Sequence, residues 1–163
     1  MTTGTSALFV NQKGALMETI VVGVDGSEGS RAALALAARE ATLRNARLRV
    51  VVVWEVPATV YGGGFALVDA KAFDPLRAQS EMLADESLAT VRTSHPSVDC
   101  EAVVLEGQAA EALLGAATDA ALIVVGSRGL GGFKRLVMGS VSDQVVHHAG
   151  CPVMVVHGGT VDE

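Results

Sequence analysis

The sequence predicts an α/β protein built on a doubly wound parallel sheet with helices on both faces. Short runs of branched apolar residues, typical of strands buried on both faces, alternate along the chain with longer segments of helical periodicity. Strands that alternate with helices form a parallel sheet, and right-handed crossovers place the helices on its two faces. The pattern predicts five strands and four helices in strict alternation, beginning and ending with a strand.

Two strands and one helix make up the first predicted unit. Residues 19–24 (TIVVGV) form the first strand, which ends at Asp25-Gly26-Ser27, a sequence typical of a turn and a helix cap. Residues 30–43 are rich in alanine, and small residues allow a helix to lie close to a sheet. We expect this helix to end at Asn45 and the second strand to run from Arg47–Trp54.

Residues 55–73 interrupt the alternation. The segment contains Pro57, Tyr61 and three consecutive glycines, and it has no clear period. A loop of this length inside a compact domain is usually functional or mobile. Because it leaves the carboxyl end of the second strand, it is placed either to close over a ligand or to serve as a tolerated surface insertion. The sequence leaves both interpretations open.

The second half of the chain continues the same pattern. The second helix is predicted over Asp74–Ser94, with Asp74 as its cap and Pro75 in its first turn, and His95-Pro96 stops it. The remaining predicted elements are a strand at 98–105, a helix at 108–119, a strand at 122–125, a helix that begins with Ser140 as its cap, and a strand at 152–156.

Composition and charge exclude several classes of function. The chain has 163 residues, half of them hydrophobic, which is enough for one domain with a substantial core. Its net charge of -6 argues against a nucleic-acid surface, which needs clustered Lys and Arg. No apolar run approaches the ~20 residues of a membrane span, and the first residues lack the basic and apolar regions of a secretory signal.

These exclusions predict a cytoplasmic protein. Cys100 and Cys151 show no metal-binding spacing and are interpreted as buried free thiols of a reducing compartment, with a disulfide as the alternative. Residues 1–16 are polar and without period, which predicts a disordered extension, and Met17 is a candidate start. The predicted domain therefore covers residues 17–158, followed by a polar tail at 159–163.

The most informative stretch, residues 121–143, joins a buried strand to the start of a helix. Glycines without a Cβ let a backbone approach a phosphate closely, and the amides at a helix start bind the charge. Serine is a good cap, and its hydroxyl can add a hydrogen bond. The pattern predicts an anion cradle, with a plain glycine-rich turn as the alternative. The residues that carry it are Gly126, Arg128, Gly129, Gly131, Gly132, Lys134, Arg135, Gly139, Ser140, Val141 and Ser142.

The spacing of this stretch resembles a family pattern. It reads G-x2-G-x9-G-S, from Gly126 through Gly129 to Gly139-Ser140, and it fills every fixed position of the G-x2-G-x9-G-[ST] motif of ATP-binding universal stress proteins. The resemblance covers residues 18–157. It implies a Rossmann-like sheet with strand order 3-2-1-4-5, which places Asp25 beside Gly126. It also implies a homodimer through the last strand, which begins at Pro152 and would otherwise be an apolar edge.

The resemblance also implies where an adenine nucleotide would bind. The position of Asp25 contacts the nucleoside in that family, and this role is compatible with a capping turn; the position of Val53 reads the adenine edge through its backbone. Val24 and Val125 would line the base pocket or serve as ordinary core, and Arg128 would reach phosphate or ribose, or be solvated. The predicted site residues are Val24, Asp25, Val53, Val125, Gly126, Arg128, Gly129, Gly139, Ser140, Val141 and Ser142.

Catalytic signals are missing from the sequence. There is no G-x4-G-K-[ST] lysine motif, no second strand-end aspartate and no evident base to orient water, so no catalytic residue and no protein metal site are predicted. Mg²⁺ could accompany ATP through phosphate oxygens, waters and a serine hydroxyl. The sequence predicts an ATP-binding regulatory protein of stress response with at most slow hydrolysis. The alternatives are a slow adenine-nucleotide hydrolase, a cyclic AMP-binding protein, and an interaction module without nucleotide.

Overall fold

The structure, a computed structural model, describes residues 17–56, 73–130 and 138–158. The predictions for residues 1–16, the tail at 159–163, most of the loop at 55–73, and Lys134 and Arg135 lie outside these ranges. No helix within them is both long and apolar enough to span a bilayer. The elements are β1 (Thr19–Gly23), α1 (Glu28–Arg44), β2 (Arg47–Trp54), α2 (Asp74–Ser94), β3 (Cys100–Glu106), α3 (Ala109–Ala116), β4 (Ala120–Gly126), α4 (Ser140–His148) and β5 (Val153–Val156).

The five strands form one parallel sheet in the order β3-β2-β1-β4-β5, which confirms the predicted architecture. β1 lies at the centre, where Val22 pairs with Val50 of β2 on one side and with Val124 of β4 on the other. The strand order reverses between β1 and β4. Chain segments that leave the carboxyl ends of these two strands go to opposite faces, so a crevice opens between them.

Each face of the sheet supplies one apolar layer of the core. On one face, α1 and α2 cover a layer that includes Ile20 and Val22. On the other face, α3 and α4 cover a layer that includes Val21, Val51 and the α4 residue Val145. Successive strand residues point to opposite faces, and here both directions are apolar because both faces are buried.

The bounds of α2 agree with the prediction, but α1 begins at Glu28 instead of Ser30, and the third helix covers Ala109–Ala116 instead of residues 108–119. The caps of α2 and α4 differ from the predicted ones by one residue. Asn45 ends α1 in the left-handed conformation, with φ of 51°, as expected for a residue with a short polar side chain. Asp74 was predicted as a cap but lies inside the first turn of α2, after Phe73. Ser140 was predicted as a cap, but Gly139 takes that position, because its carbonyl already accepts the amide of Asp143 at 2.9 Å.

Two buried serines connect the end of β4 to the start of α4. The carbonyl of Ser127 accepts the amide of Gly139 at 2.7 Å and the hydroxyl of Ser142 at 3.0 Å. The Ser142 hydroxyl also lies 2.9 Å from the carbonyl of Gly139. The Ser127 hydroxyl, in contrast, has no hydrogen-bond partner among the described residues. Ser142 therefore fixes the start of α4, and the side chain of Ser127 does not.

A network of charged side chains lies near the amino ends of β2 and β3. Arg49 on β2 lies opposite Glu101 on β3, with 2.9 Å between Nε and Oε1. Its Nη1 lies 2.7 Å from Asp119 Oδ1 and donates to the carbonyl of Ala116 at 2.9 Å. The Arg49 guanidinium holds the pKa of Asp119 below its ordinary value. The network joins β2 and β3 to the turn between α3 and β4.

The variant Asp119→Asn should be less sensitive to acid than the wild type. Because the folded pKa of Asp119 lies below its ordinary value of 3.8, the ion pair stabilises the fold above that value and is lost as the pH falls through the folded pKa. Between about pH 5 and about pH 2, the wild type should lose more free energy of unfolding than the variant, by at most about 1 kcal/mol because solvent screens this half-exposed carboxylate. Urea unfolding measures the difference, and equal losses would contradict the pairing.

The variants Ser142→Ala and Ser127→Ala should have opposite effects on stability. Ser142→Ala removes hydroxyl hydrogen bonds to the carbonyls of Ser127 and Gly139, which should lower the free energy of unfolding by about 1 kcal/mol. Ser127→Ala removes a buried hydroxyl that has no partner, so stability should stay unchanged or rise by about 1 kcal/mol. Urea denaturation measures both, and a larger loss at Ser127 would show that its hydroxyl has a partner.

Candidate functional site

A cavity of about 530 Å³ opens at the carboxyl edge of the sheet, between the ends of β1 and β4. All eleven predicted site positions line it, although they come from parts of the chain more than a hundred residues apart. Their part in binding a nucleotide stays a prediction. The same lining contains six residues that the sequence analysis did not select, namely Gly23, Ser30, Val51, Ala109, Leu113 and Leu130.

Some of these six had a usable signal in the sequence. Val51 lies two residues before Val53 on the same strand, and residues two apart share a face. Ala109 and Leu113 lie on α3, which follows the carboxyl end of β3, and all parallel strands end at the same edge. The first helical turn after each strand was therefore a candidate for the lining. Leu130 had no such signal, because its place depends on the path of the loop after β4.

One wall of the cavity is apolar. Val51, Val53, Leu113 and Val125 face it, and all of them belong to the core layer under α3 and α4. These side chains carry no hydrogen-bonding groups. The wall can therefore hold a planar ring by burial and dispersion, while any polar edge of that ring would have to be read by main-chain groups.

The opposite part of the cavity is formed by the start of α4. Ser140, Val141 and Ser142 supply the first three amides of this helix, which have no intrahelical acceptor, and the helix dipole is positive there. Ser140 is exposed, so its hydroxyl is open to the cavity. The hydroxyl of Ser142 is instead engaged with the carbonyls of Ser127 and Gly139. The sequence analysis offered both serine hydroxyls to a ligand, and the structure engages that of Ser142 with the protein itself.

Asp25 connects the turn at the head of α1 to the loop after β4. Its Oδ1 accepts the amide of Ser27 at 2.9 Å, which is the predicted capping turn, and its Oδ2 accepts the amide of Leu130 at 3.1 Å. Partial burial raises the pKa of Asp25, but hydrogen bonds from Ser27, Ser30 and the Leu130 amide outweigh it and lower the pKa below its ordinary value. The group is therefore an ionised acceptor at neutral pH.

The three motif glycines have different surroundings. A Cβ on Gly126 would lie 2.7 Å from the backbone carbon of Gly29, so this glycine lets β4 pack against the start of α1. A Cβ on Gly129 would overlap Oδ2 of Asp25. A Cβ on Gly139 would meet only ordinary contacts, the nearest being Arg128 Cα at 3.5 Å. Packing among the described residues therefore explains why Gly126 and Gly129 carry no side chain, but it does not explain Gly139.

Positive charge and metal ligands are sparse around the cavity. Arg128 is exposed and lines it, and the Arg128 carbonyl accepts the Ser27 hydroxyl at 3.5 Å. Within the described ranges, no group of three or more His, Cys, Asp or Glu side chains is arranged to hold a metal ion. Among the described residues, binding of an anion here would depend mainly on backbone amides and on Arg128.

A second cavity, of about 580 Å³, adjoins the first and shares Ala109, Ser140 and Val141 with it. Two carboxylates, Glu55 and Glu106, line it. Glu55 Oε1 also accepts the amide of Ala109 at 3.1 Å and so occupies the start of α3. The two carboxylates disfavour a negatively charged ligand group in the second cavity, except where it can reach the start of α4, which the two cavities share.

Comparison with known proteins places the chain in a family. Residues 17–157 match the model of the universal stress protein family. A universal stress protein of Thermus aquaticus is 38% identical over 143 residues, covering 86% of this chain and 99% of the relative. Universal stress protein Rv2623 of Mycobacterium tuberculosis is 36% identical over 137 residues, covering 83% of this chain and 44% of the relative. The chain thus spans about half the length of the mycobacterial relatives that it matches.

A solved structure supports the same placement. A universal stress protein crystallised in complex with cAMP superimposes with a TM-score of 0.65 at 25% identity, covering 88% of this chain and 98% of the other. The fold, the family model and the curated relatives agree with one another. The chain therefore belongs to the universal stress protein family.

Proposed function

We propose that residues 17–158 form an ATP-binding regulatory domain that acts in the cytoplasm in response to stress. The observation that carries this proposal is Gly139, which lines the cavity at the start of α4 and whose missing Cβ serves no packing purpose among the described residues. A bare Cα there leaves room for a ligand group to approach the backbone. The family member crystallised with cAMP makes an adenine nucleotide the natural occupant.

The cavity offers a separate place for each part of ATP. The base fits the apolar wall of Val51, Val53 and Val125, with its polar edge read by the main chain of β2. The ribose hydroxyls can donate to the ionised carboxylate of Asp25. The phosphates then lie at the start of α4, where free amides and the helix dipole favour negative charge.

Arg128 and Ser140 complete the phosphate end. The guanidinium of Arg128 is exposed beside the cavity, and a charged donor of this kind binds phosphate oxygens strongly. Mg²⁺ keeps most of its waters and needs few protein ligands, so the Ser140 hydroxyl together with phosphate oxygens suits it. When bound, Mg²⁺ would neutralise phosphate charge.

Hydrolysis should be slow at most. Asp25 is the one carboxylate among the described residues that line the cavity, and both of its oxygens already accept backbone amides. The described lining contains no histidine or lysine. A group that positions and deprotonates water is needed for fast phosphoryl transfer, and the described lining offers none. The site therefore suits a protein that senses a nucleotide more than one that turns it over.

The variant Gly139→Ala should weaken ATP binding. Its methyl group fits the ligand-free fold, where the nearest atoms lie 3.5 Å away, but it would meet the phosphates. We expect the dissociation constant measured by calorimetry to rise about tenfold or more, equivalent to about 1.4 kcal/mol. Gly115→Ala is the matched control, because a Cβ at that exposed helical position meets nothing within 4 Å. It should leave ATP affinity unchanged.

Two outcomes of this titration would overturn the proposal. Equal ATP affinity in the wild type and in Gly139→Ala would remove α4 as the phosphate site. Wild-type protein that binds cAMP more tightly than ATP would favour the cyclic AMP alternative, to which the cAMP complex of the family member points. Phosphate release over many turnovers would show an enzyme instead of a sensor.

We also propose a homodimer through β5. This strand is an edge of the sheet, and all four of its residues are apolar and half-buried. The carbonyls of Pro152 and Val156 accept the amides of Ile123 and Ser127, so the backbone groups of Val153 and Val155 point away from β4, to the edge that no other described strand covers. An apolar strand with open backbone groups pairs readily with another strand, and a second copy supplies one.

The variant Val155→Pro should shift the protein toward the monomer. Proline lacks the N–H that points to the open edge, and prolines are tolerated on edge strands. Light scattering should give about twice the 16.7 kDa chain mass for the wild type and a lower mass for the variant. Val155→Thr keeps the N–H and should stay dimeric. A monomeric wild type at micromolar concentration would refute the dimer.

A further inference from the structure

We propose that Gly129 is a glycine because of Asp25 and not because of a phosphate, and that these two residues form a positioning pair for the loop after β4. The inference deepens the proposed nucleotide site and rests on it for its effect on affinity. It assigns different tasks to two glycines that a sequence motif treats alike. The contact between position 129 and Asp25, on which it is based, does not require a bound ligand.

The first step is the space beside Gly129. A Cβ built on this residue would overlap Oδ2 of Asp25, and the next atom in reach is Cγ of the same carboxylate at 3.6 Å. Both neighbours of the missing Cβ thus belong to one side chain. The same Oδ2 accepts the amide of Leu130 at 3.1 Å. The carboxylate therefore fills the space that a side chain at position 129 would need.

The second step is that the carboxylate cannot easily move aside. Its Oδ1 accepts the amide of Ser27 at 2.9 Å. Ser27 in turn caps α1, because its hydroxyl oxygen accepts the amide of Ser30 at 3.1 Å. Displacing the carboxylate would break this turn at the head of α1. A methyl group at position 129 would therefore displace the loop, and Asp25 would stay in place.

The third step connects the pair to the cavity. Arg128 and Leu130 flank Gly129, and both line the cavity. Asp25 accepts the amide of Leu130, and the Ser27 hydroxyl donates to the carbonyl of Arg128 at 3.5 Å. The turn at the head of α1 thus holds the loop on both sides of Gly129. Displacing the loop would move the guanidinium of Arg128 and one wall of the nucleotide site.

A double-mutant cycle tests the pair. Gly129→Ala should weaken ATP binding about tenfold in the wild type, because the methyl group displaces the loop. In the Asp25→Ala background the space is vacant, so adding Gly129→Ala should change the dissociation constant less than about twofold. If Gly129 is bare to admit a phosphate, Gly129→Ala will cost the same in both backgrounds, and that result would overturn the proposal.

Two matched controls sharpen the cycle. Gly139→Ala should weaken binding by the same factor with or without Asp25, because the nearest described atoms beyond its chain neighbours lie 3.5 Å from the methyl group and none of them belongs to Asp25. Asp25→Asn keeps the size of the side chain and removes its charge, so Gly129→Ala should remain costly in that background. Loss of the cost in Asp25→Asn would show that charge, and not space, couples the two residues.

Measurements without nucleotide separate this inference from the proposed function. The Leu130 amide should exchange with solvent about tenfold faster in Asp25→Ala, while the amide of Val22 in the core should not change. In urea, Gly129→Ala should lower the unfolding midpoint of the wild type and leave that of Asp25→Ala nearly unchanged. If both results are obtained but ATP does not bind, the proposed function is wrong and the coupling between Asp25 and Gly129 is confirmed. If the Leu130 exchange rate and the midpoints show no coupling, the pair is refuted.

Discussion

The carboxylate of Asp25 joins two segments that lie 105 residues apart in the sequence. One oxygen closes the turn at the head of α1, and the other holds the backbone of the loop after β4 at Leu130. This bridge exists because β1 and β4 are neighbours at the point where the strand order reverses. Both segments contribute residues to the lining of the cavity, Ser30 from α1 and Arg128, Gly129 and Leu130 from the loop. The shape of the site therefore depends on one ionised side chain held by backbone amides on both sides.

The glycines of the motif show how one spacing can combine several constraints. Gly126 lets two backbones meet at the head of α1, and Gly129 makes room for a carboxylate. Gly139 meets only ordinary contacts and lies at the start of α4. The motif therefore combines glycines that packing requires with one that we assign to ligand binding. We expect the two kinds to respond differently to substitution, because a methyl group at Gly126 or Gly129 meets the protein, whereas one at Gly139 would meet the proposed ligand.

Periodicity was enough to predict the alternation of strands and helices, since buried strands and alanine-rich helices leave patterns that depend on local sequence alone. The strand order came from the family resemblance, because pairing between distant strands leaves no local pattern. The spacing of Gly126, Gly129 and Gly139 also led to residues that do surround one cavity. The sequence could not show where the individual side chains point or which groups they contact. The engagement of the Ser142 hydroxyl with two carbonyls follows from the approach of β4 to α4. The reason for Gly129 requires the distance between two strands, which no local pattern contains. The cap of α4 missed by one residue reflects the backbone hydrogen bond from Asp143 to Gly139, which outweighed the preference for a serine side chain.

A chain with a net charge of -6 can still favour an anion, because the field inside a cavity is set by its nearest groups. At the start of α4 these groups are oriented amides, with Arg128 beside them and the carboxylates Glu55 and Glu106 confined to the adjoining cavity. Amide dipoles are weaker than a lysine but are fixed in direction by the fold. Attraction of this kind depends on where the helix start and the loop lie relative to each other, which the hydrogen bonds of Ser142 and Asp25 determine. The anion binding that we propose would therefore be a consequence of backbone geometry, and the side chains that hold that geometry would matter as much as those that face the cavity.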